Sequence, residues 1–186
     1  RGAEIKDNPA RYLRVRGTGD ARAPFFTDQD EKRLLYELSQ MSNKNHLRLT
    51  KLALATGFRR SELLSLTWRN IDIKNNRIYI QRKECAARGG SNSMRIVPLP
   101  SNVKKLLRSF EGKEGKVLPI TKGAARNGFD KARKRAELNT LRFHDLRHIA
   151  ISRMWSSGMN ALEISACSGH RDIKMLMRYS HYQLSF

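Results

Sequence analysis

Cysteine is nearly absent from this 186-residue chain, where Cys85 and Cys167 stand alone. Two are too few for a disulfide framework, and their spacing matches no metal-ligand pattern, so both read as free thiols of a reducing compartment. No run approaches the roughly 20 apolar residues that a membrane span needs. The charged, polar N-terminus does not read as a signal peptide, so a cytoplasmic protein without membrane association is expected. Neither a P-loop nor an acidic metal cluster occurs, which leaves nucleoside-triphosphate and metal-ion chemistry without a signal. Acidic residues are scarce too. Only 17 Asp and Glu stand against 37 Lys and Arg, a formal charge of +20. Such an excess repels itself unless a polyanion is the working partner, and nucleic acid is the common one. On charge alone, a ribosome-like or membrane-surface basic protein stays open.

An apolar share of 39% over this length supports one core, hence one domain with a tail. Residues 1–24 are basic, punctuated by Pro9, Gly17, Gly19 and Pro24, and keep no apolar period, so they read as a linker. A linker there implies a preceding domain, and the chain reads as a piece of a longer protein. Thr27 with Asp30 is a capping-box start, followed by Leu34, Leu35 and Leu38 at helical spacing. Helices are also expected at 47–55, closed by Gly57, and from Ser61. The pattern then turns extended: 77–82 and 94–99 read as strands joined by a long Gly/Ser/Asn tip, with Asp72 and Ile73 adding a third short strand. Helical patterns return over 101–110, 121–138, 144–156, 161–168 and 173–184. The expected fold is α+β, mainly α-helical, with a small three-stranded antiparallel sheet on one side.

Three clusters could carry chemistry. His144 and Arg147 lie three apart in a first helical turn, where both side chains and free backbone N–H groups suit an anion such as phosphate. Arg59 lies just past a helix end, with Glu62 three residues on to orient its fork for bidentate phosphate binding. Gly169-His170 is followed nine residues later by Tyr179, which a tight turn could bring to the histidine. Tyrosine is a poor nucleophile near neutral pH, its pKa being about 10, unless basic or cationic neighbours help it. Taken singly, each cluster also fits an ordinary structural role: a surface pair, a surface ion pair, a half-buried packing tyrosine.

Together their order and spacing, Thr-Gly-x-Arg-x-x-Glu, then His-x-x-Arg, then Gly-His with a tyrosine nine residues on, resemble the tyrosine recombinase (phage integrase) family over residues 26–182. Trp68, Asp72, Ile96-Val97-Pro98-Leu99 and Tyr179-Ser180-His181 agree with it. The Asn8-Pro9 linker is similar to the family's junction between an N-terminal DNA-binding region and the catalytic domain. The resemblance therefore implies a linker at 1–24 and a catalytic domain at 25–186.

The resemblance implies site-specific recombination: one DNA strand is cut by tyrosine attack on a phosphodiester, leaving a 3′-phosphotyrosyl bond and a free 5′-hydroxyl. The covalent link conserves bond energy, so no metal, ATP or cofactor is expected. By motif position, Arg59 and Arg147 would clamp the non-bridging oxygens. His144 would be general base for, or orienter of, the tyrosine; His170 would donate to a phosphate oxygen; Tyr179 would be the nucleophile, with Tyr182 as its competitor. Glu62 and Asp145 would support them. The hairpin lysine that protonates the leaving oxygen maps onto Lys83, with Arg88 a rival because this hairpin is longer than usual. Arg82, Arg95, Lys122, Lys131, Arg133, Lys134 and Arg135 are expected to track the duplex backbone. His148 is expected to pack near the site, His46 and His181 to lie on the surface, and Ile151, Met154 and Trp155 to be core. The implied partners are double-stranded DNA, a tetramer on paired sites and accessory DNA-bending proteins, on bacterial or phage-type DNA. A type IB topoisomerase and a basic DNA-binding module without catalysis are the alternatives.

Overall fold

The structure, a computed structural model, describes residues 26–81, 94–110, 114–170, 172–177 and 179. Helix α1 (Asp28–Ser39) starts with the expected capping box, Asp30 N donating to Thr27 Oγ1 (3.1 Å) and Thr27 N to Asp30 Oδ2 (2.9 Å). Leu34 and Leu38, one turn apart, are its fully buried stripe. Helix α2 (Asn45–Thr56) ends at Gly57, whose φ of 64° is left-handed and whose N–H returns to Ala53 O. Helix α3 (Arg60–Ser65) follows at once.

A 3₁₀ turn at Trp68–Asn70 leads into an antiparallel sheet of order β1-β2-β3: β1 (Ile71–Asp72), β2 (Arg77–Gln81) and β3 (Met94–Pro98). Alternation along β2 buries Ile78 and Ile80; along β3 it buries Arg95 and Val97, which pair with them across the ladder. Five helices complete the described chain: α4 (Ser101–Arg108), α5 (Lys122–Arg135), α6 (Asp145–Ser156), α7 (Ala161–Ser168) and α8 (Lys174–Met177). The main core joins α1–α5 to the sheet, with α2 packed on α6 and α1 on α5. A smaller core of Ile151, Trp155, Ile164, Leu176 and Tyr179 ties α6, α7 and α8 together. The fold is thus the expected mainly helical α+β class, with Ile151 and Trp155 buried as expected.

Some expectations need correction. The basic helix stops at Arg135 rather than near Leu138, because Glu137 turns left-handed (φ 61°). The described part of the last helix is a single turn, and Tyr179 follows it with its N–H on Leu176 O (2.9 Å). His46, expected on the surface, has its Nδ1 buried against α5, where a Cβ added to Gly128 would overlap the imidazole ring. Burial accordingly lowers the His46 pKa. The linker, the hairpin tip and the residues after Tyr179 fall outside the described residues.

Candidate active site

Two chain reversals build the site. Arg59 immediately precedes α3, and its own N–H donates to Glu62 Oε2 (2.9 Å) one turn on, fixing the backbone at the helix start. Its guanidinium donates through Nη1 to Glu62 Oε1 (3.2 Å) and through Nη2 to Gly169 O (3.4 Å), yet stays 43% exposed. A cation so held still has an open side for a ligand.

Arg147, one turn into α6, is only 3% exposed. Its Nη1 donates to Gly57 O and Ser168 O, both at 2.7 Å, and its Nη2 lies 3.2 Å from each ring nitrogen of His170. Burial, then the positive Arg59, lowers its pKa to about 10, with Glu62 opposing the fall, so it stays charged at neutral pH.

His170 sits just past Gly169, whose left-handed φ of 74° ends α7. Burial first, then Arg147 and Arg59, pull its pKa down to about 4, which makes it neutral at pH 7. Ser168 Oγ donates to Ile164 O (2.6 Å) and lies 2.7 Å from His170 Nδ1. Its single proton being committed to Ile164, the hydroxyl accepts from Nδ1–H in this state.

His144 leads into α6 with an exposed edge, and its ring meets that of His148 at 5.0 Å, edge to face. Burial, then Arg147, lowers its pKa, Asp145 opposing. The buried Asp145 carboxylate accepts from Arg142 N (2.7 Å), so it braces the turn entering α6; burial raises its pKa. His148 Nδ1 is hydrogen-bonded to the hydroxyl of Tyr179, and the two rings stack 6.0 Å apart. His148, which by sequence could touch the site but is expected to pack beside it, is the residue that touches the tyrosine hydroxyl. Its i+4 spacing from His144 is the signal for it in the sequence.

The structure therefore gathers Arg59, Arg147 and His170 into one cluster and joins Tyr179 to His144 through His148. A cavity of about 280 Å³ opens beside them, lined by Phe58, Arg60, Arg142, Phe143, His144 and Arg147. Lys83, Arg88, Arg82, His181 and Tyr182 lie outside the described residues. On α5, Lys122, Lys131, Lys134 and Arg135 are exposed, whereas Arg133 is 19% exposed and pinned to Asp130 at 2.8 Å. Arg95 corrects its expected place on DNA. It is 7% exposed and points inward, because strand alternation puts it on the same face as Val97. Cys167 is a buried free thiol whose pKa burial raises.

Comparison with known proteins fits this arrangement. The shufflon-specific DNA recombinase of Escherichia coli is 32% identical over 181 residues, covering 95% of this chain and 44% of that protein. The integrase of Escherichia phage 186 is 30% identical over 178 residues, covering 95% of this chain and 49% of its own length. The chain thus spans about half the length of the curated relatives it matches. Among solved structures, the catalytic domain of bacteriophage HP1 integrase has a TM-score of 0.69 at 28% identity, covering 84% of this chain and 86% of that one. The XerH site-specific recombinase bound to palindromic difH substrate shares the fold at a TM-score of 0.63 and 18% identity, over 84% of this chain and 49% of that one. A model of the phage integrase family matches residues 24–185, and a match across nearly all of the chain, on the fold of an integrase catalytic domain, makes it a member of that family.

Proposed function

We propose that this chain is the catalytic part of a site-specific DNA recombinase working through a 3′-phosphotyrosyl intermediate, its DNA sites paired in a tetramer of the full-length protein. The observation that carries the reading is the cluster of Arg59, Arg147 and His170, with the Tyr179 hydroxyl hydrogen-bonded to His148 on the same helix α6 that carries Arg147. Double-stranded DNA as partner fits the charge of +20 and the exposed cations of α5. Accessory DNA-bending proteins belong to the same proposal.

In the forward step the Tyr179 O–H bond breaks as its oxygen bonds to phosphorus. At pH 7 only about one tyrosine in a thousand is ionised at a pKa of about 10, so an acceptor for the proton is needed. His148 Nδ1 is in contact with the hydroxyl, and His144 abuts His148. The P–O5′ bond then breaks, and the 5′ oxygen takes a proton from the hairpin, Lys83 or Arg88. Attack by a 5′-hydroxyl of a second strand reverses each transfer. Arg59 and Arg147 balance the charge that builds on the non-bridging oxygens, each such donor being worth roughly 10²–10³ in rate. For His170 to donate as well, Ser168 turns its proton from Ile164 O to Nδ1, which moves the ring proton to Nε2.

The test needs no knowledge of the target site. The chain is mixed with a duplex pool of randomised centre, nicked so that the cleaved end diffuses away. DNA joined to protein through its 3′ end, formed in EDTA, is the expected product. Relaxation of plasmids of arbitrary sequence without enrichment of any pool member would favour a type IB topoisomerase, and binding without any adduct would favour a module that lacks catalysis.

A further inference from the structure

We infer that Arg95 is a positioning residue that leaves Arg59 free for phosphate by occupying Glu62; this rests on the reading of Arg59 as a phosphate clamp. Two arginines meet one carboxylate, but the close contacts belong to Arg95: Nη1 to Oε1 at 2.6 Å and Nη2 to Oε2 at 3.1 Å, against 3.2 Å for Arg59 Nη1 to Oε1. Arg95 is 7% exposed and Arg59 43%, so the Arg95 charge is consumed inside while Arg59 still faces outward. A buried carboxylate deprived of its partner is costly. Without Arg95, Glu62 would hold Arg59 as its remaining partner, drawing that guanidinium inward and cancelling its charge where the phosphate needs it.

Three successive carbonyls at the end of α7 each take one arginine. Cys167 O accepts from Arg95 Nη2 (3.4 Å), Ser168 O from Arg147 Nη1 (2.7 Å) and Gly169 O from Arg59 Nη2 (3.4 Å). These are helix C-terminal carbonyls with free lone pairs, on the end of the dipole that favours cations. Gly169 makes the approach possible, since a Cβ there would lie 2.7 Å from Arg95 Cζ and Nη1. One helix end thus registers both candidate clamps and the arginine that guards one of them, and it ties strand β3 to the same point.

The experiment uses a sequence captured from the nicked pool, synthesised with either a phosphate or a charge-free methylphosphonate at the scissile position. Arg95→Gln should slow adduct formation on the phosphate on the order of 100-fold and leave the methylphosphonate within a few-fold of the parent chain, because less charge needs compensation there. Adding Glu62→Gln to Arg95→Gln removes the carboxylate that captures Arg59 and should recover roughly tenfold or more on the phosphate. Arg95→Lys, which keeps a buried cation, should show a smaller loss of the same kind and replaces Arg95→Gln if thermal unfolding shows that variant to be unfolded. Equal losses on both substrates, or a double variant worse than the single, would make Arg95 merely structural and overturn the inference alone. A parent chain that captures no DNA overturns the reading of the site, and the inference with it.

Discussion

The hydroxyl of Tyr179 is hydrogen-bonded to Nδ1 of His148, one helical turn beyond His144 along α6. The contact joins Tyr179 of the smaller core to His148 on α6, and in the proposed mechanism it sets a base against the hydroxyl that would lose its proton. The more accessible His144 meets the His148 ring edge to face. On this geometry, His148→Gln should lower single-turnover adduct formation by about 10²–10³, within the usual range for a lost acid–base group. His144→Gln should cost less and leave the pH profile's acidic limb in place. A larger loss for His144→Gln, with His148→Gln near normal, would return the role to His144.

Acid should destabilise the protein through His170. Its folded pKa of about 4 lies below the ordinary 6.5, for reasons of burial and the Arg147 charge. Between those values the unfolded chain binds more protons, so stability is full above pH 6.5 and is lost as pH falls toward 4. His144 and His46 are shifted the same way. Glu62, held low by Arg95 and Arg59 against its burial, loses its contribution only at more acidic pH, below the ordinary carboxylate range. Urea midpoints should therefore fall from about pH 7 to about pH 4.5, and His170→Gln should flatten the slope. The His170 share should stay well below the roughly 3 kcal/mol that the full shift would give, because solvent screens a partly exposed ring. A midpoint that rises on acidification would contradict this.

Charge on α5 divides into exposed cations and one, Arg133, that is mostly covered and tied to Asp130. Lys122, Lys131, Lys134 and Arg135 are exposed, and each that contacts a phosphate should, on change to Ala, reduce the slope of log K against log salt by about 0.9. Arg133, bonded to Asp130 and to Asn139 O, should leave the slope unchanged and lower the melting temperature instead. Fluorescence anisotropy with a duplex across a salt series measures the slopes, and a thermal melt measures the rest. An Arg133→Ala slope change as large as that of Lys131→Ala would refute the division.

Gly128 and His46 form a packing pair between α5 and α2. Gly128→Ala gains up to about 1 kcal/mol of helix propensity, but its methyl would overlap Cε1 and Nδ1 of His46. Overpacking typically costs about 1–3 kcal/mol, so the net effect should be destabilising by denaturant unfolding. His46→Ala added to it clears the space and should recover stability. A Gly128→Ala chain more stable than the parent would show that His46 swings aside freely.

Local signals in the sequence reach much of this. The Thr27–Asp30 box, the Gly57 stop and the β2–β3 alternation are properties of neighbouring residues, and they are where expected. Arg95 departs from expectation because its charge argues for the surface while its register argues for the interior, and Met94-Arg95-Ile96-Val97 alternates with Arg95 on the inward side. His46 yields to the same logic, since it precedes the buried Leu49 and Ala53 by helical spacings of three and seven. The choice between His144 and His148 is different in kind. Both lie on one helix face, and which one meets Tyr179 depends on how the chain turns through Gly169 and packs Leu176 beneath α6. No periodicity encodes that.

The nucleophile is the central claim, and the direct measurement is peptide mapping of the DNA-linked residue after capture on the nicked pool. The expected result is a nucleotide remnant on Tyr179, with the adduct abolished in Tyr179→Phe while DNA affinity is largely kept. A remnant on Tyr182, or an adduct that persists in Tyr179→Phe and vanishes in Tyr182→Phe, would contradict it.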